Sequence, residues 1–138
     1  MTNSLSCTAT WLRHQGHMFY CRYSLRQDAP AVIFIAGLGD SCETWGKAQA
    51  RIAQMASTFS HDRAGIGKSE AAAKVPRTCA DLVEELCELA AQTPVKPPYI
   101  LVGHSFGGLV ARLFASRFPK LVAGMVLVDG EPDQGSQR

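Results

Sequence analysis

No stretch of the 138-residue chain approaches the ~18 consecutive apolar residues of a membrane span. Met1 to Cys7 carries neither a basic nor an apolar leader segment, so a cytoplasmic location with no membrane partner is expected. No run of Lys or Arg stands out and the formal net charge is only +2, which leaves nothing to mark a nucleic-acid surface. The five cysteines, Cys7, Cys21, Cys42, Cys79 and Cys87, are odd in number and lack C-x-x-C spacing. Neither a disulfide framework nor a zinc site is suggested, and reduced, mostly buried thiols are expected instead. Internal repeats and low-complexity segments are absent, and Pro94 to Pro98 reads as a loop, not a linker. Histidine is sparse, with His14, His17, His61 and His104 and none later.

What is present fits one soluble domain or part of one: 46% of residues are apolar and 19% charged, enough to build a core. Thr8 to Arg13 and His17 to Leu25 favour β structure around the turn residues His14-Gln15-Gly16, an antiparallel hairpin. Ala31 to Ala36 is apolar at every position, as in a central strand covered on both faces. After Gly37-Leu38-Gly39-Asp40-Ser41, the spacing of Trp45, Ala48, Ile52 and Met55 predicts a helix with one face on the sheet. Ser57 to His61 reads as a strand, the Gly-punctuated stretch Asp62 to Ser69 as a loop, and Ala71 to Arg77 as surface.

Thr78-Cys79-Ala80-Asp81 predicts a capping box and a helix start. In that helix Leu82, Val83, Leu86, Leu89 and Ala90 form the apolar stripe, leaving Glu84, Glu85 and Glu88 as a solvated face. Tyr99 to Val102 is a buried strand, followed by a helix with Leu109, Val110, Leu113, Phe114 and Phe118 inward and stopped by Pro119. Val122 to Val128 is the last strand, left by the polar loop Asp129 to Asp133. The order predicts an α/β fold: a mostly parallel sheet with an N-terminal antiparallel hairpin and helices on both faces.

Between the fifth strand and its helix lies Gly103-His104-Ser105-Phe106-Gly107, a G-x-S-x-G pentapeptide. Such a serine sits on a tight turn with its hydroxyl projecting above the carboxyl end of a parallel sheet. With it stand Gly37-Leu38-Gly39 after the third strand, Asp62-Arg63-Ala64-Gly65-Ile66-Gly67-Lys68-Ser69, which matches D-R-x-G-x-G-x-S, and Val126-Leu127-Val128-Asp129. Four motifs in this order resemble the N-terminal half of an α/β-hydrolase fold protein, from Thr8 to about Gln134. The resemblance implies one domain spanning residues 1–138, an incomplete α/β-hydrolase fold ending after the sixth strand, without its cap and C-terminal strands.

By that resemblance Ser105 is the nucleophile, and the backbone N–H groups of Leu38 and Phe106 form the oxyanion hole. Ala36 stands where the family commonly has His, which removes a side chain but no backbone donor. Asp129 matches a position where some members keep the triad acid, with Glu131 next, although a loop-capping carboxylate is the plainer reading. The base is missing, because the family's histidine follows the serine and here none does. The implied activity is serine hydrolysis of a small-molecule ester, amide or lactone, silent in this chain without that histidine, and needing no cofactor or metal. Two alternatives differ in class: a non-catalytic binding protein that keeps the fold, and a dinucleotide-binding module suggested by Gly37-x-Gly39 and Asp62, where Cys42 holds the third glycine's place. Without further strands the Val122 to Val128 edge is unprotected, so self-association through it is expected.

Overall fold

The computed structural model describes residues 7–71 and 77–128. The expected surface segment Ala71 to Arg77 therefore lies mostly outside the described residues, as do Asp129 and Glu131. Six strands form one mixed sheet: β1 (Thr8–His14), β2 (His17–Ser24), β3 (Ala31–Ile35), β4 (Ser57–His61), β5 (Tyr99–His104) and β6 (Val122–Val128). Their order across the sheet is β1-β2-β4-β3-β5-β6. The β1/β2 and β2/β4 pairs are antiparallel, and β3 pairs in parallel with β4 and β5, and β5 with β6. At the hairpin, Gln15 and Gly16 take φ of 50° and 83°, the two left-handed residues of a tight turn that matches strand twist.

Among the described residues three α-helices cover the sheet: α1 (Gly46–Ile52), α2 (Cys79–Ala91) and α3 (Phe106–Arg117). β3 divides the core because successive side chains leave opposite faces. Ala31, Ile33 and Ile35 join Val83, Leu86, Leu89, Val110 and Phe114 under α2 and α3. Val32, Phe34 and Ala36 join Trp45 and Ala56 on the α1 side. The sheet thus has helices on both faces, as the sequence predicts, and the capping box at Thr78 and Asp81 is formed in both directions.

Three expectations about helix faces need correction. α1 is shorter than the apolar spacing implies: Cys42–Trp45 is a 3-10 turn and α1 ends at Ile52, so Met55 lies beyond it and is exposed. Ala48 is also exposed, and Gln49 takes the inward position. Its amide donates to Thr58 Oγ1 at 3.0 Å and to the Arg22 carbonyl at 3.1 Å, and accepts from Ser60 Oγ at 2.6 Å. A polar side chain with both ends satisfied is stable there, which composition-based periodicity cannot register. In α3, Leu109 is exposed instead of packed.

The third correction concerns Glu85, which is 1% exposed while Glu84 and Glu88 face solvent as expected. Its position, three residues after Leu82 and four before Leu89, puts it within the buried stripe. Arg77 donates to Glu85 Oε1, and His61 Nε2 lies 3.6 Å from Oε2. Burial pushes the Glu85 carboxyl up, but the imidazole and guanidinium outweigh it and hold the group below its ordinary value of 4.5. A depressed carboxyl contributes stability that is present above its unfolded value and lost as pH falls through its folded one. Urea midpoints measured from pH 7 down to pH 3 are therefore expected to fall below about pH 4.5, and Glu85→Gln to flatten that acid limb. An unchanged acid limb in the variant would count against this pairing.

Candidate functional site

β5 ends at His104 and α3 begins at Phe106, so Ser105 makes the whole reversal. Its backbone, φ 55° and ψ −117°, lies in territory that residues with a side chain avoid. The surroundings hold it there. Ser105 N–H donates to the Val128 carbonyl at 3.1 Å, and the Ser105 carbonyl accepts from Gly108 N–H at 2.8 Å. Strain of this kind costs about 1–3 kcal/mol, part of which glycine's larger unfolded-state entropy offsets. Ser105→Gly is expected to raise stability by about 1 kcal/mol in urea, with an unchanged m-value. Lower stability in that variant would refute a strained elbow.

The two flanking glycines make the turn possible. A Cβ at Gly103 would lie 2.5 Å from the Gly107 carbonyl oxygen. One at Gly107 would overlap the carbonyl of Ile35 and lie 2.8 Å from that of Ala36. The first turn of α3 therefore rests directly on the end of β3. Ile35 pairs with Gly103 in the β3/β5 ladder, so Leu38 and Phe106, each three residues further, both follow from the same end of the sheet.

Ser105 is exposed and opens on a cavity of about 210 Å³, walled by Leu109, Leu127 and Val128, with Arg112 at its side. The exposure of Leu109 has its reason here, since it faces this cavity and not the core. Leu38 is 76% exposed on the turn closed by Asp40 N–H to the Gly37 carbonyl at 3.1 Å. Phe106 is half-buried at the first position of α3, where a backbone N–H has no helical acceptor.

The loop after β4 braces this region from below. Asp62, 2% exposed, accepts from Cys42 N–H at 2.7 Å and from Lys68 N–H at 2.8 Å. Gly67, at φ 56°, leaves room for that carboxylate, which any Cβ would strike. Ser69 Oγ donates to the Asp62 carbonyl at 2.7 Å and accepts from Tyr20 N–H at 2.9 Å. Arg63, also buried, reaches back to the carbonyls of Ala36 and Gly37 at 2.9 and 2.5 Å. Burial pulls its guanidinium below the ordinary value, with Glu85 and Asp40 acting the other way. The motif thus ties two other segments together in addition to shaping its own loop. Sequence reading assigns it only the second task, because nothing in D-R-x-G-x-G-x-S names a partner 26 residues upstream.

Cys42 is buried beside Asp62, and burial first, then the Asp62 charge, pushes its thiol up to about 12, which disfavours the thiolate at neutral pH. All five cysteines are free. Among the described residues, no three His, Cys, Asp or Glu side chains converge as a metal would require. Nor is any helix there long and apolar enough to cross a membrane.

The histidines are engaged elsewhere. His14 and His17 pair at the hairpin turn, on the side of the sheet opposite β6. His61 is buried between Phe59, Phe19 and Glu85. His104 stands edge-on to Trp45, 6.4 Å between centroids, with its Nδ1 against Gly37. None of them lines the cavity at Ser105.

Residues 30–137 match the family model of the alpha/beta hydrolase fold. Uncharacterized protein YqjL of Bacillus subtilis is 38% identical over 114 residues, 83% of this chain and 45% of that protein. An AB hydrolase superfamily protein of Gibberella zeae is 31% identical over 111 residues, covering 78% of this chain and 34% of that one. Among solved structures, an alpha/beta hydrolase from Novosphingobium aromaticivorans superposes with a TM-score of 0.79 at 22% identity, over 88% of this chain and 44% of its own. The chain spans less than half the length of the curated relatives it matches. A strand–serine–helix elbow on a sheet of this order, together with the family match over residues 30–137, establishes that the chain belongs to the α/β-hydrolase fold family.

Proposed function

We propose that this chain carries the nucleophilic half of a serine hydrolase acting by acyl transfer on a small-molecule ester, amide or lactone. The observation that supports it most is the backbone of Ser105, held at φ 55° and ψ −117° with its side chain exposed beside a cavity. A plain structural turn has no need of a conformation that costs free energy; a hydroxyl aimed at a substrate carbonyl does. In this reading the Ser105 hydroxyl attacks the carbonyl carbon, and the N–H groups of Phe106 and Leu38 stabilise the oxyanion. The intermediate collapses to an acyl-Ser105 as the alcohol or amine leaves with the serine's proton, and water then hydrolyses that ester to the free acid and restores the hydroxyl. Each such donor contributes roughly 3 kcal/mol to transition-state stabilisation.

The proton on Ser105 needs a base, and that base is a histidine outside these 138 residues, since the four present are turned elsewhere. The test is labelling by a serine-directed fluorophosphonate in a form extended at its C-terminus through a later histidine. Adduct formation at Ser105, lost in Ser105→Ala, is expected; an unlabelled Ser105 in that form removes the assignment. The dinucleotide alternative finds no support in the geometry. Asp62 is buried, and its carboxylate takes the Cys42 N–H, leaving neither for a ribose or a phosphate.

A further inference from the structure

We infer that Arg63 is a positioning residue that sets both oxyanion donors at once, through two hydrogen bonds to the Leu38 turn and a face contact with Phe106. The inference rests on the proposed roles of Leu38 and Phe106, but its geometry does not.

A guanidinium presents donors in a fixed plane, and Arg63 uses two nitrogens on two successive carbonyls: Nη1 on Ala36 and Nη2 on Gly37. The Gly37 carbonyl belongs to the peptide unit whose N–H is that of Leu38. Fixing that oxygen fixes the plane of the peptide, and with it the direction of the Leu38 N–H on the opposite side. The Gly37 carbonyl also accepts from Asp40 N–H at 3.1 Å, so two donors hold it. Leu38 itself is exposed and its side chain offers no packing to restrain the turn.

The same guanidinium stands 5.6 Å over the Phe106 ring. Cation and ring face attract at that distance, and this contact orients the residue whose N–H opens α3. One buried cation therefore spans the two segments that must converge on the substrate oxygen. Its own position is fixed by sequence adjacency to Asp62, whose carboxylate closes the same loop on Cys42. In a family whose oxyanion loop commonly begins His-Gly, Ala36 supplies no side chain, and Arg63 binds the Ala36 backbone instead.

The experiment reads backbone amides in the 138-residue chain itself and needs no turnover. In Arg63→Ala, the ¹⁵N order parameter of Leu38 is expected to drop from about 0.85 to below about 0.6, and the carbonyl shifts of Ala36 and Gly37 to move, while Ile33 and Leu101 are unaffected. The Phe106 amide shift should move with them. Added ethylguanidinium should restore the Leu38, Ala36 and Gly37 signals together. Arg63→Lys, which keeps the charge and loses the fork, should reproduce the Leu38 loosening, and it alone decides the matter if Arg63→Ala does not fold.

A Leu38 amide that stays ordered in a folded Arg63 variant overturns the inference, as does a Leu38 response without any at Phe106. In a form that turns over, Arg63→Lys should lower kcat about 10- to 100-fold with KM within about twofold, the mark of an interaction made in the transition state. Failure of fluorophosphonate to label Ser105 would remove the hydrolase reading while leaving the amide result standing, so the two can fail separately.

Discussion

Gly107→Ala is expected to cost about 3–5 kcal/mol, while Gly108→Ala next to it is neutral or stabilising by up to about 1 kcal/mol. Both residues are buried in the first turn of α3, and both substitutions add one methyl and improve helix propensity. They differ in what the methyl meets. At Gly108 it touches Leu127 Cδ2 at 3.5 Å, an ordinary contact with the end of a flexible side chain. At Gly107 it overlaps the Ile35 carbonyl and stands 2.8 Å from the Ala36 oxygen, both backbone.

β3 cannot move aside, because β4 and β5 fix its register from both sides and the carbonyls just beyond it, at Ala36 and Gly37, are held by Arg63. The helix would have to lift off the sheet, opening the packing of Val110 and Phe114 against it. Natural domains have only about 5–15 kcal/mol in hand, so the substitution should shift the urea midpoint drastically or prevent folding. Gly124→Ala on β6, where an added Cβ meets nothing within 4 Å, is the control for a glycine without that constraint. Equal midpoints for Gly107→Ala and Gly108→Ala would show that the helix is not seated as described.

These contrasts indicate how much the sequence discloses. The strands are legible because an all-apolar run such as Ala31 to Ile35 has few other uses, and Ser57 to His61 appears where it is expected. The elbow is legible because its glycines answer a local steric demand that a pentapeptide can carry. Buried polar residues are not legible. Gln49 and Glu85 occupy inward positions since Thr58, Ser60, Arg77 and His61 meet them, and those partners lie on other elements.

Arg63 is the sharpest case. Its motif announces a turn, but its guanidinium acts on β3's exit, a relation created only when β3 and β4 lie side by side. Leu109 errs in the other direction. Its spacing fits the apolar face of α3, yet it turns to the cavity at Ser105, and helical period alone cannot tell a core side from a cavity side. On β6, Leu127 and Val128 line the same cavity, and Val126, Leu127 and Val128 are 50%, 44% and 39% exposed.

The 138-residue chain is expected to react with a fluorophosphonate, or turn over an activated ester, at least about 10⁴-fold more slowly than a form extended through a later histidine, about 5.5 kcal/mol of barrier. In the proposed reading the backbone of Ser105 presents the hydroxyl to substrate, but presentation does not remove its proton. A base must come within hydrogen-bond reach, and His61 is bound up with Glu85, His104 is turned toward Trp45, and His14 and His17 sit across the sheet. On the proposed reading the oxyanion donors at Leu38 and Phe106 would still act, which sets a floor of about 10³–10⁴-fold over water. The comparison therefore separates what this chain supplies from what it lacks. Labelling of the two forms within tenfold of one another would mean that a base resides among these 138 residues after all. In either form Ser105→Ala should abolish the phosphonyl or acyl adduct, and an adduct that survives it would belong to another nucleophile, because Gly103 to Gly107 at the end of β5 holds no other hydroxyl.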